Sequence, residues 1–267
     1  MATRATLKRP KWQGLLIGGL LAGLLIWLGM QQAPMPSPQA QAAQALAGRA
    51  LRVGVDPSYP PFASLDDGQW RGFDIELAQA LAQRLDLKLE FVPISFDGLY
   101  DALKTGQADV IISALVYNPA KTAEVRYTRP YFDNGIVLVS LQSRPLASMF
   151  NIVGLRLAYA YGTDADTEAR KWARRIADFE MMPYEFAQHA LTALCLGHTD
   201  AALMDATSYY LHRQSLSPCD TFHRYVSHSE YVIAVSMGQE ALSSALDRVL
   251  DELIRSGELD AIRSRWL

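Results

Sequence analysis

The sequence predicts an α/β fold with two lobes of similar design. From Leu51 onward, short apolar segments alternate with amphipathic helical segments, which is the pattern of a mostly parallel sheet covered by helices. The alternation starts again at residue 155, and no fixed-period repeat accompanies it. This restart indicates two lobes of about 100 residues each, which is an ordinary domain size.

The first half of the pattern combines strands with two helices. The predicted strands are residues 51–55, 87–94 and 108–115, and the predicted helices are residues 74–86 and 96–107. Apolar side chains at 75, 77, 78, 81, 82 and 85 share one face of the first helix, for which Asp74 is the expected N-cap. Apolar residues alternate at 87, 89 and 91, as in a strand with one buried face.

The second half follows the same pattern and closes with helices. The predicted strands are residues 155–162, 200–205 and 231–237. The predicted helices are residues 163–176, 189–198, 206–214 and about 239–255. A last helical turn ends at Leu267, and Gly257 separates it from the long helix.

Residues 1–30 are predicted to be a signal peptide or a signal anchor. Four basic residues in the first eleven precede residues 14–30, a stretch of seventeen residues without a charge. This stretch is long for a signal core and short for a spanning helix, so a cleaved signal and a retained membrane anchor both stay open. In both cases the rest of the chain is exported. Residues 31–49 are predicted to be a flexible linker, because they lack hydrophobic periodicity.

The composition excludes several classes of protein. Of the 267 residues, 50% are hydrophobic and 20% charged, which excludes disordered, collagen-like and polytopic membrane proteins. Beyond residue 47, 21 of the 25 basic residues remain with all 28 acidic ones, and this acidic body argues against nucleic acid as a partner. Two cysteines and five scattered histidines predict no metal site, and no motif predicts a cofactor.

Several segments, taken together, resemble one protein family. They are LRVGVDPSYPPF at 51–62, GFDIELAQALAQRL at 72–85, FDGLYDALKTGQADVIIS at 96–113, RPYF at 129–132, YGTDAD at 161–166, LGHTDAALMD at 196–205 and SGELDAIRSRWL at 256–267. In this order and spacing they resemble the periplasmic solute-binding proteins of polar amino-acid ABC transporters, the bacterial extracellular solute-binding protein family 3. The resemblance covers essentially all of residues 50–267.

The resemblance implies a particular two-lobed fold. In the type II periplasmic-binding-protein fold, two crossing strands form a hinge, and the lobes close on a ligand. The crossings would lie near residues 132–134 and 231–233. Lobe one would then comprise residues 50–132 and 233–267, and lobe two would comprise residues 134–230.

The resemblance also implies where the carboxylate of an amino acid would bind. It would meet Lys121, where the family has an arginine, with Ser113 retained nearby and Val116 in place of a hydroxyl residue. Lysine supplies a point charge rather than a bidentate fork, and the alternative for Lys121 is a solvated surface lysine. Gly162 and Thr163, at the start of a helix, would add an anion cradle from lobe two or serve as an ordinary helix cap.

Other residues would meet the ammonium group and the side chain of the ligand. Asp205, at the end of a predicted strand, matches the family's ammonium-binding aspartate, and its alternative role is the N-cap of the next helix. Tyr59 and Phe96 match positions where aromatic groups sandwich the ligand. Asp56 would face a cationic side chain or cap the turn that follows it.

Cys195 and Cys219 both fall in lobe two. Export to an oxidising compartment favours a disulfide between them. The alternative is two buried thiols.

The function that the resemblance implies is periplasmic binding of a polar amino acid or a related small zwitterion and its delivery to an ABC transporter permease. One alternative is an enzyme on the same fold, of the cyclohexadienyl (prephenate or arogenate) dehydratase type. The sequence shows neither a GxSxG motif nor a nucleophile–base pair, which favours binding without chemistry. Another alternative is a ligand receptor tethered to the inner membrane through residues 14–30. The predicted partners are a small-molecule ligand and a permease.

Overall fold

The computed structural model of the chain describes residues 36–216 and 218–267. The signal peptide or signal anchor predicted over residues 1–30 lies outside the described residues, as does the first part of the predicted linker. Within the described part of the chain, no helix combines the length and the apolar character that crossing a membrane requires.

Strands and helices alternate along the chain, as the sequence predicts. The strands are β1 (Leu51–Val55), β2 (Ser58–Tyr59), β3 (Ala63–Asp66), β4 (Gln69–Arg71), β5 (Leu89–Pro93), β6 (Val110–Ile111), β7 (Val125–Tyr127), β8 (Phe132–Asp133), β9 (Ile136–Leu141), β10 (Arg156–Ala160), β11 (Glu180–Tyr184), β12 (Ala201–Asp205), β13 (Thr221–Tyr225), β14 (Glu230–Tyr231) and β15 (Ala234–Ser236). The α-helices are α1 (Pro38–Leu46), α2 (Phe73–Leu85), α3 (Leu99–Thr105), α4 (Asp164–Ala173), α5 (Ala187–Cys195), α6 (Ala206–Arg213), α7 (Glu240–Ser256) and α8 (Glu258–Trp266). Short 3-10 helices cover Phe96–Gly98, Pro119–Lys121 and Met149–Ile152.

Two five-stranded sheets form the centres of the two lobes. The sheet of lobe one has the order β5-β1-β6-β15-β7, and the sheet of lobe two has the order β11-β10-β12-β9-β13. In each order the first three strands are parallel and the remaining pairs are antiparallel. The two lobes therefore share one design, and the predicted α/β class with two similar lobes is confirmed.

The hinge consists of two antiparallel strands between the lobes. β8 pairs with β14 through Phe132 opposite Tyr231 and Asp133 opposite Glu230. Along the chain, β8 leads from lobe one into β9 of lobe two, and β14 leads back from β13 to β15 of lobe one. The predicted hinge of two crossing strands is thus confirmed.

The long helix α7 shows how local pattern determines packing. Its buried residues recur every three or four positions, so they form one apolar stripe. They are Leu242, Ser243, Ala245, Leu246, Val249, Leu250 and Leu253. This stripe packs against β7, β15 and α1. Burying each leucine of the stripe contributes about 1.5–3 kcal/mol relative to exposure.

The structure contradicts the predicted flexible linker over residues 38–46. These residues form α1, which packs against α2 and α7 of lobe one. Ala42 and Leu46 are fully buried, four residues apart on the same helical face. The linker prediction was wrong here because alanine and glutamine favour helix, and the two apolar anchors are too few to produce an obvious periodic signal.

Three other predicted elements differ in extent from the structure. The predicted strand 108–115 is regular only over Val110–Ile111, because the chain then turns toward the hinge. The predicted strand 231–237 divides into β14 and β15, since its first residue lies in the hinge and its later residues lie in the sheet of lobe one. The predicted last turn is a complete helix, Glu258–Trp266.

A disulfide joins Cys195, at the end of α5, to Cys219, before β13. The two Cα atoms lie 5.7 Å apart, which is within the range that a disulfide bridges. The sequence separation is 24 residues, so the bond closes a loop that contains α6 and β12.

We expect iodoacetamide to add no mass to the unfolded protein in the absence of a reductant and two alkyl groups after reduction. The control is the double variant Cys195→Ser/Cys219→Ser, which takes up no alkyl group with or without a reductant. Because the bond restricts the unfolded chain, this variant is expected to lose about 3 kcal/mol of unfolding free energy. Alkylation of the unreduced wild-type protein would demonstrate free thiols and contradict the disulfide.

Candidate functional site

A cleft of about 740 Å³ lies between the lobes and next to the hinge. Lobe one contributes Tyr59 and Val116. The hinge segments contribute Asn134, Gly135, Ser229 and Tyr231. Lobe two contributes Ile136, Thr163, Asp164, Ala165, Thr167, Glu168, Asp205, Thr207, Ser208, Ser227 and His228.

The sheet of lobe two directs its polar residues into this cleft. β10 and β12 are parallel neighbours, so their carboxyl ends meet at one edge. β10 is followed by Thr163, the N-cap residue of α4, and β12 ends at Asp205, the N-cap residue of α6. Ligands of open α/β sheets bind at such an edge, outside the carboxyl ends of the strands.

Asp205 caps helix α6 and also lines the cleft. Its Oδ1 accepts a hydrogen bond from the backbone N–H of Ser208 at 2.8 Å, which caps α6. Its Oδ2 accepts from the hydroxyl of Ser208 at 2.7 Å. A carboxylate oxygen has two lone pairs, so each oxygen retains acceptor capacity toward the cleft that Asp205 lines.

Gly162 and Thr163 differ from each other in their availability to a ligand. Thr163 lines the cleft, and its hydroxyl donates to the carbonyl of Ala160 at 2.7 Å. The backbone N–H of Gly162 donates to Oδ2 of Asp166 at 3.0 Å, so a carboxylate of the protein already occupies this donor. Asp166 and Asp164 also place acidic side chains in the first turn of α4.

Asp56 and Ser113 support the loops of lobe one. The carboxylate of Asp56 accepts from the backbone N–H and the hydroxyl of Ser58, at 2.9 and 2.6 Å, and from the backbone N–H of Phe96 at 2.8 Å. Burial acts to raise the pKa of Asp56, but these hydrogen bonds outweigh it, and the pKa lies below its usual value. The hydroxyl of Ser113 accepts from the backbone N–H of Asp56 at 2.9 Å. Asp56 therefore caps the turn that follows it, and neither Asp56 nor Ser113 lines the cleft in this structure.

The two aromatic residues predicted to sandwich a ligand are placed differently. Tyr59 is 46% exposed, lines the cleft and stacks on Phe62 with ring centroids 5.5 Å apart. Phe96 is 50% exposed but is not among the residues that line the cleft. Only the Tyr59 ring is therefore in a position to contact a ligand in this conformation.

Lys121 lies outside the cleft and pairs with a carboxylate of its own segment. Its Nζ is 2.9 and 3.1 Å from the two carboxylate oxygens of Glu124. The same Nζ lies 5.4 Å from the centroid of the Tyr100 ring. Lys121 ends a 3-10 turn in which Asn118 accepts from the backbone N–H of Ala120 and Pro119 is the first residue. In this structure Lys121 is therefore a surface lysine, which is the alternative that the sequence left open.

The hinge supplies functional residues that the sequence reasoning missed. The Oδ1 of Asn134 accepts from the backbone N–H and the hydroxyl of Thr207, at 2.9 and 2.7 Å. Its Nδ2 donates to the hydroxyl of Tyr231 at 2.9 Å. Asn134 thereby ties the start of α6 to the returning hinge strand. The Asn-Gly pair at 134–135, one residue after the hinge motif RPYF, was the available signal.

Gly135 lies in close contact with the backbone of residues 227–228, which lead into the returning hinge strand β14. A Cβ atom at this position would lie 1.9 Å from the carbonyl oxygen of Ser227 and 2.7 Å from the Cα of His228. Real side chains do not tolerate such a contact with backbone, so alanine here would force the hinge segments apart.

Gly135→Ala is expected to cost about 1–3 kcal/mol of unfolding free energy, as overpacking in a well-packed region does. Gly238→Ala is the matched control, because its Cβ would meet no atom within 4 Å. Differential scanning calorimetry of both variants measures the difference. Equal melting temperatures would refute the close approach of the hinge segments.

A buried carboxylate supports the cleft from within lobe one. Asp74 was the expected N-cap of α2, but the N-cap residue is Gly72, and Asp74 is fully buried. Its Oδ2 accepts from the backbone N–H of Ala114 at 2.6 Å, and Tyr131 also donates to it. Burial raises the pKa of Asp74 to about 7, against the lowering effect of these hydrogen bonds. Ala114 has a φ of 45° and precedes Leu115 and Val116, so Asp74 stabilises a strained backbone beside the cleft.

We expect Asp74 to destabilise the protein progressively between pH 4 and pH 7. In this range the folded form retains a proton that the unfolded form, with a pKa of 3.8, has released. The free energy of unfolding therefore falls as pH rises, by at most about 1.4 kcal/mol per pH unit. Asp74→Asn removes this contribution, so its stability relative to the wild type should rise over the same range. Urea unfolding at several pH values measures it, and a constant difference would contradict the expectation.

Comparison with known proteins places the chain among binding proteins. The family model of bacterial extracellular solute-binding proteins, family 3, matches residues 51–267. An L-arginine-binding protein of Pseudomonas aeruginosa is 26% identical over 231 residues, which are 82% of this chain and 88% of the relative. A histidine-binding periplasmic protein of Salmonella typhimurium is 26% identical over 238 residues, 85% of this chain and 91% of the relative.

Solved structures show the same fold. An ancestral cationic amino acid solute-binding protein has a TM-score of 0.60 and 26% identity, with 85% of this chain and 99% of that chain covered. An ancestral cyclohexadienyl dehydratase has a TM-score of 0.69 and 22% identity, with 88% of this chain and 98% of that chain covered. At this lower identity the second structure shows a shared fold alone.

Proposed function

Because the chain belongs to the bacterial extracellular solute-binding proteins of family 3, we propose that it binds a polar amino acid or a related small zwitterion between its lobes. The loaded protein then delivers this ligand to the permease of an ABC transporter. The proposed place of action is the periplasm, with tethering to the inner membrane if residues 14–30 are retained.

The observation that carries this proposal is the placement of Asp205. Its carboxylate lines a cleft of about 740 Å³ at the carboxyl end of β12, on the lobe opposite Tyr59. An ammonium group bound there would pair with the carboxylate, and the loss of hydration on closing would strengthen the attraction. Asn134 and Gly135, in the hinge beside the same cleft, would couple ligand binding to closure of the lobes.

The relatives support the proposed ligand class. Two of them are named for arginine and histidine, and one structure for cationic amino acids. The proposed role of this chain is binding without chemistry. The structural likeness to a dehydratase concerns the fold, and prephenate and arogenate therefore belong in the test as substrates.

The proposal is tested by calorimetric titration of the full chain, purified in a mild detergent, with the twenty amino acids, prephenate and arogenate. We expect at least one amino acid to bind with a one-to-one stoichiometry and to raise the melting temperature. A ligand at one hundred times its Kd stabilises the folded form by about 2.7 kcal/mol. Absence of binding to every amino acid would refute the proposal, and so would turnover of prephenate or arogenate.

A further inference from the structure

The walls of the cleft are acidic. Asp164, Glu168 and Asp205 line it, and none of its lining residues within 36–216 and 218–267 is a lysine or an arginine. The imidazole of His228 also lines the cleft, but its Nδ1 lies 2.5 Å from Oδ2 of Asp133. Glu168 pairs with Lys171, which lies outside the cleft lining. Asp164 and Asp205 thus remain without an ion pair among the described residues.

The cation expected to hold a ligand carboxylate is committed elsewhere. Both carboxylate oxygens of Glu124 accept from Lys121, and the ammonium group also lies over the Tyr100 ring. Moving Lys121 into the cleft would break this pair. The nearby Val116, which does line the cleft, has no hydroxyl to donate.

The start of α4 is also poorly suited to an anion. The backbone N–H of Gly162 already binds Asp166, and Asp164 adds a second carboxylate to the first turn. Asp166 pairs with Arg170 at 2.7 Å, but Asp164 has no ion pair among the described residues, so a ligand carboxylate at this end of the helix would lie beside an uncompensated like charge. A helix N-terminus favours a bound anion, and at α4 two aspartates of the protein itself occupy this position.

A smaller cavity continues the acidic surface beyond Asp205. It has a volume of about 270 Å³ and shares four lining residues with the cleft: Thr163, Ala165, Asp205 and Ser208. Glu185 lines this cavity and adds another carboxylate. His212 lines it as well, and burial lowers the pKa of its imidazole, so it contributes little positive charge at neutral pH.

We infer that the cleft recognises the cationic part of its ligand and does not require a carboxylate, so that organic amines without a carboxyl group are ligands of this protein. This inference rests on the proposed function. The recognised class is an alkyl ammonium or guanidinium compound, held by Asp205 and directed toward the acidic cavity that Glu185 lines. A carboxylate on the ligand contributes little, because no cationic side chain of the described cleft lining meets it.

Matched pairs of ligands test the inference by calorimetric titration of the full chain in detergent. Each pair differs only in the carboxyl group: arginine with agmatine, lysine with cadaverine, and histidine with histamine. We expect the amine of the best-bound pair to have a Kd within tenfold of that of its amino acid. A loss of more than tenfold on removal of the carboxyl group would overturn the inference and leave the proposed function intact. Failure of all six compounds to bind would overturn the inference, whereas the proposed function is tested separately by the titration with the twenty amino acids.

Two variants provide an independent test with the same probes. Lys121→Gln is expected to change the Kd of arginine by less than threefold, because the lysine pairs with Glu124 outside the cleft. Glu185→Gln is expected to raise the Kd of agmatine by more than threefold, because it removes a carboxylate from the adjoining cavity. A larger loss of arginine affinity in Lys121→Gln would show that the lysine holds the carboxylate and would overturn the inference. An unchanged Kd of agmatine in Glu185→Gln would show that the ligand does not reach the adjoining cavity. This result would overturn the part of the inference that directs the ligand toward that cavity.

Discussion

Asp205→Asn is expected to weaken binding of a cationic ligand at least about 30-fold while leaving the fold intact. The substitution removes one of the three carboxylates that line the cleft, the one proposed to pair with the ligand. Loss of one partner of a desolvated ion pair costs about 2–5 kcal/mol. Asparagine is as good an N-cap residue as aspartate, so the start of α6 retains its bond from the backbone N–H of Ser208. Calorimetric titration gives the change in Kd, and thermal unfolding gives the change in stability.

Two further variants separate charge from capping. Asp205→Ala removes both and should lower the stability by about 1 kcal/mol in addition to abolishing binding. Asp220→Asn is the control for a simple change in net charge, because Asp220 is an exposed aspartate of lobe two outside the cleft lining. If Asp205→Asn retained wild-type affinity, Asp205 would be only a helix cap and the proposed ammonium site would be refuted.

Leu46→Ala is expected to lower the free energy of unfolding by about 2–5 kcal/mol, although Leu46 precedes the segment that the family model matches. Leu46 is fully buried and belongs to the same hydrophobic core as the stripe of α7. Arg248 of α7 also donates to the side chain of Gln41, and Gln39 donates to the carbonyl of Arg84 at the end of α2. These contacts make α1 part of lobe one rather than a spacer in front of it.

The matched control for this prediction is Gln44→Ala, a truncation at an exposed position of the same helix. For a chain of this size, each kcal/mol corresponds to roughly 2–4 °C in melting temperature. Leu46→Ala should therefore melt at least about 4 °C below Gln44→Ala. Melting within 1 °C of the control, on the order of measurement error, would mean that α1 does not pack on lobe one in solution.

Helices and strands whose pattern depends on residues close in sequence were predictable from the sequence. The apolar faces of α2 and α7 recur at helical spacing, and β1 and β12 are short apolar segments bounded by turn residues. In contrast, β13 alternates weakly and its side chains are mostly half-buried. β11 contains Pro183 and lies at the edge of its sheet, where proline is tolerated. Both strands form because they pair with other strands, β11 with β10 and β13 with β9, and the local sequence pattern does not show this pairing.

The same distinction applies to the candidate site. Tyr59, Thr163 and Asp205 follow strand ends, and the fold brings all three to one cleft. The role of Asp56 depends on the backbone N–H of Phe96, which is forty residues away in sequence. The position of Lys121 depends on its ion pair with Glu124, which competes with the role implied by the resemblance. For side chains whose partners are distant, or whose neighbours compete for them, the sequence therefore left two roles open.

The position of β15 has a consequence for the order in which the two sheets are completed. All strands of the lobe-two sheet lie within residues 136–225, one after another along the chain. The lobe-one sheet lacks a strand between β6 and β7 until residues 234–236 are available. During synthesis, which proceeds from the N-terminus, all strands of lobe two are made before the last strand of lobe one. Lobe two is therefore an insertion within lobe one. Until then β6 and β7 have unpaired edges, and the nascent lobe one is the part that depends on protection from aggregation.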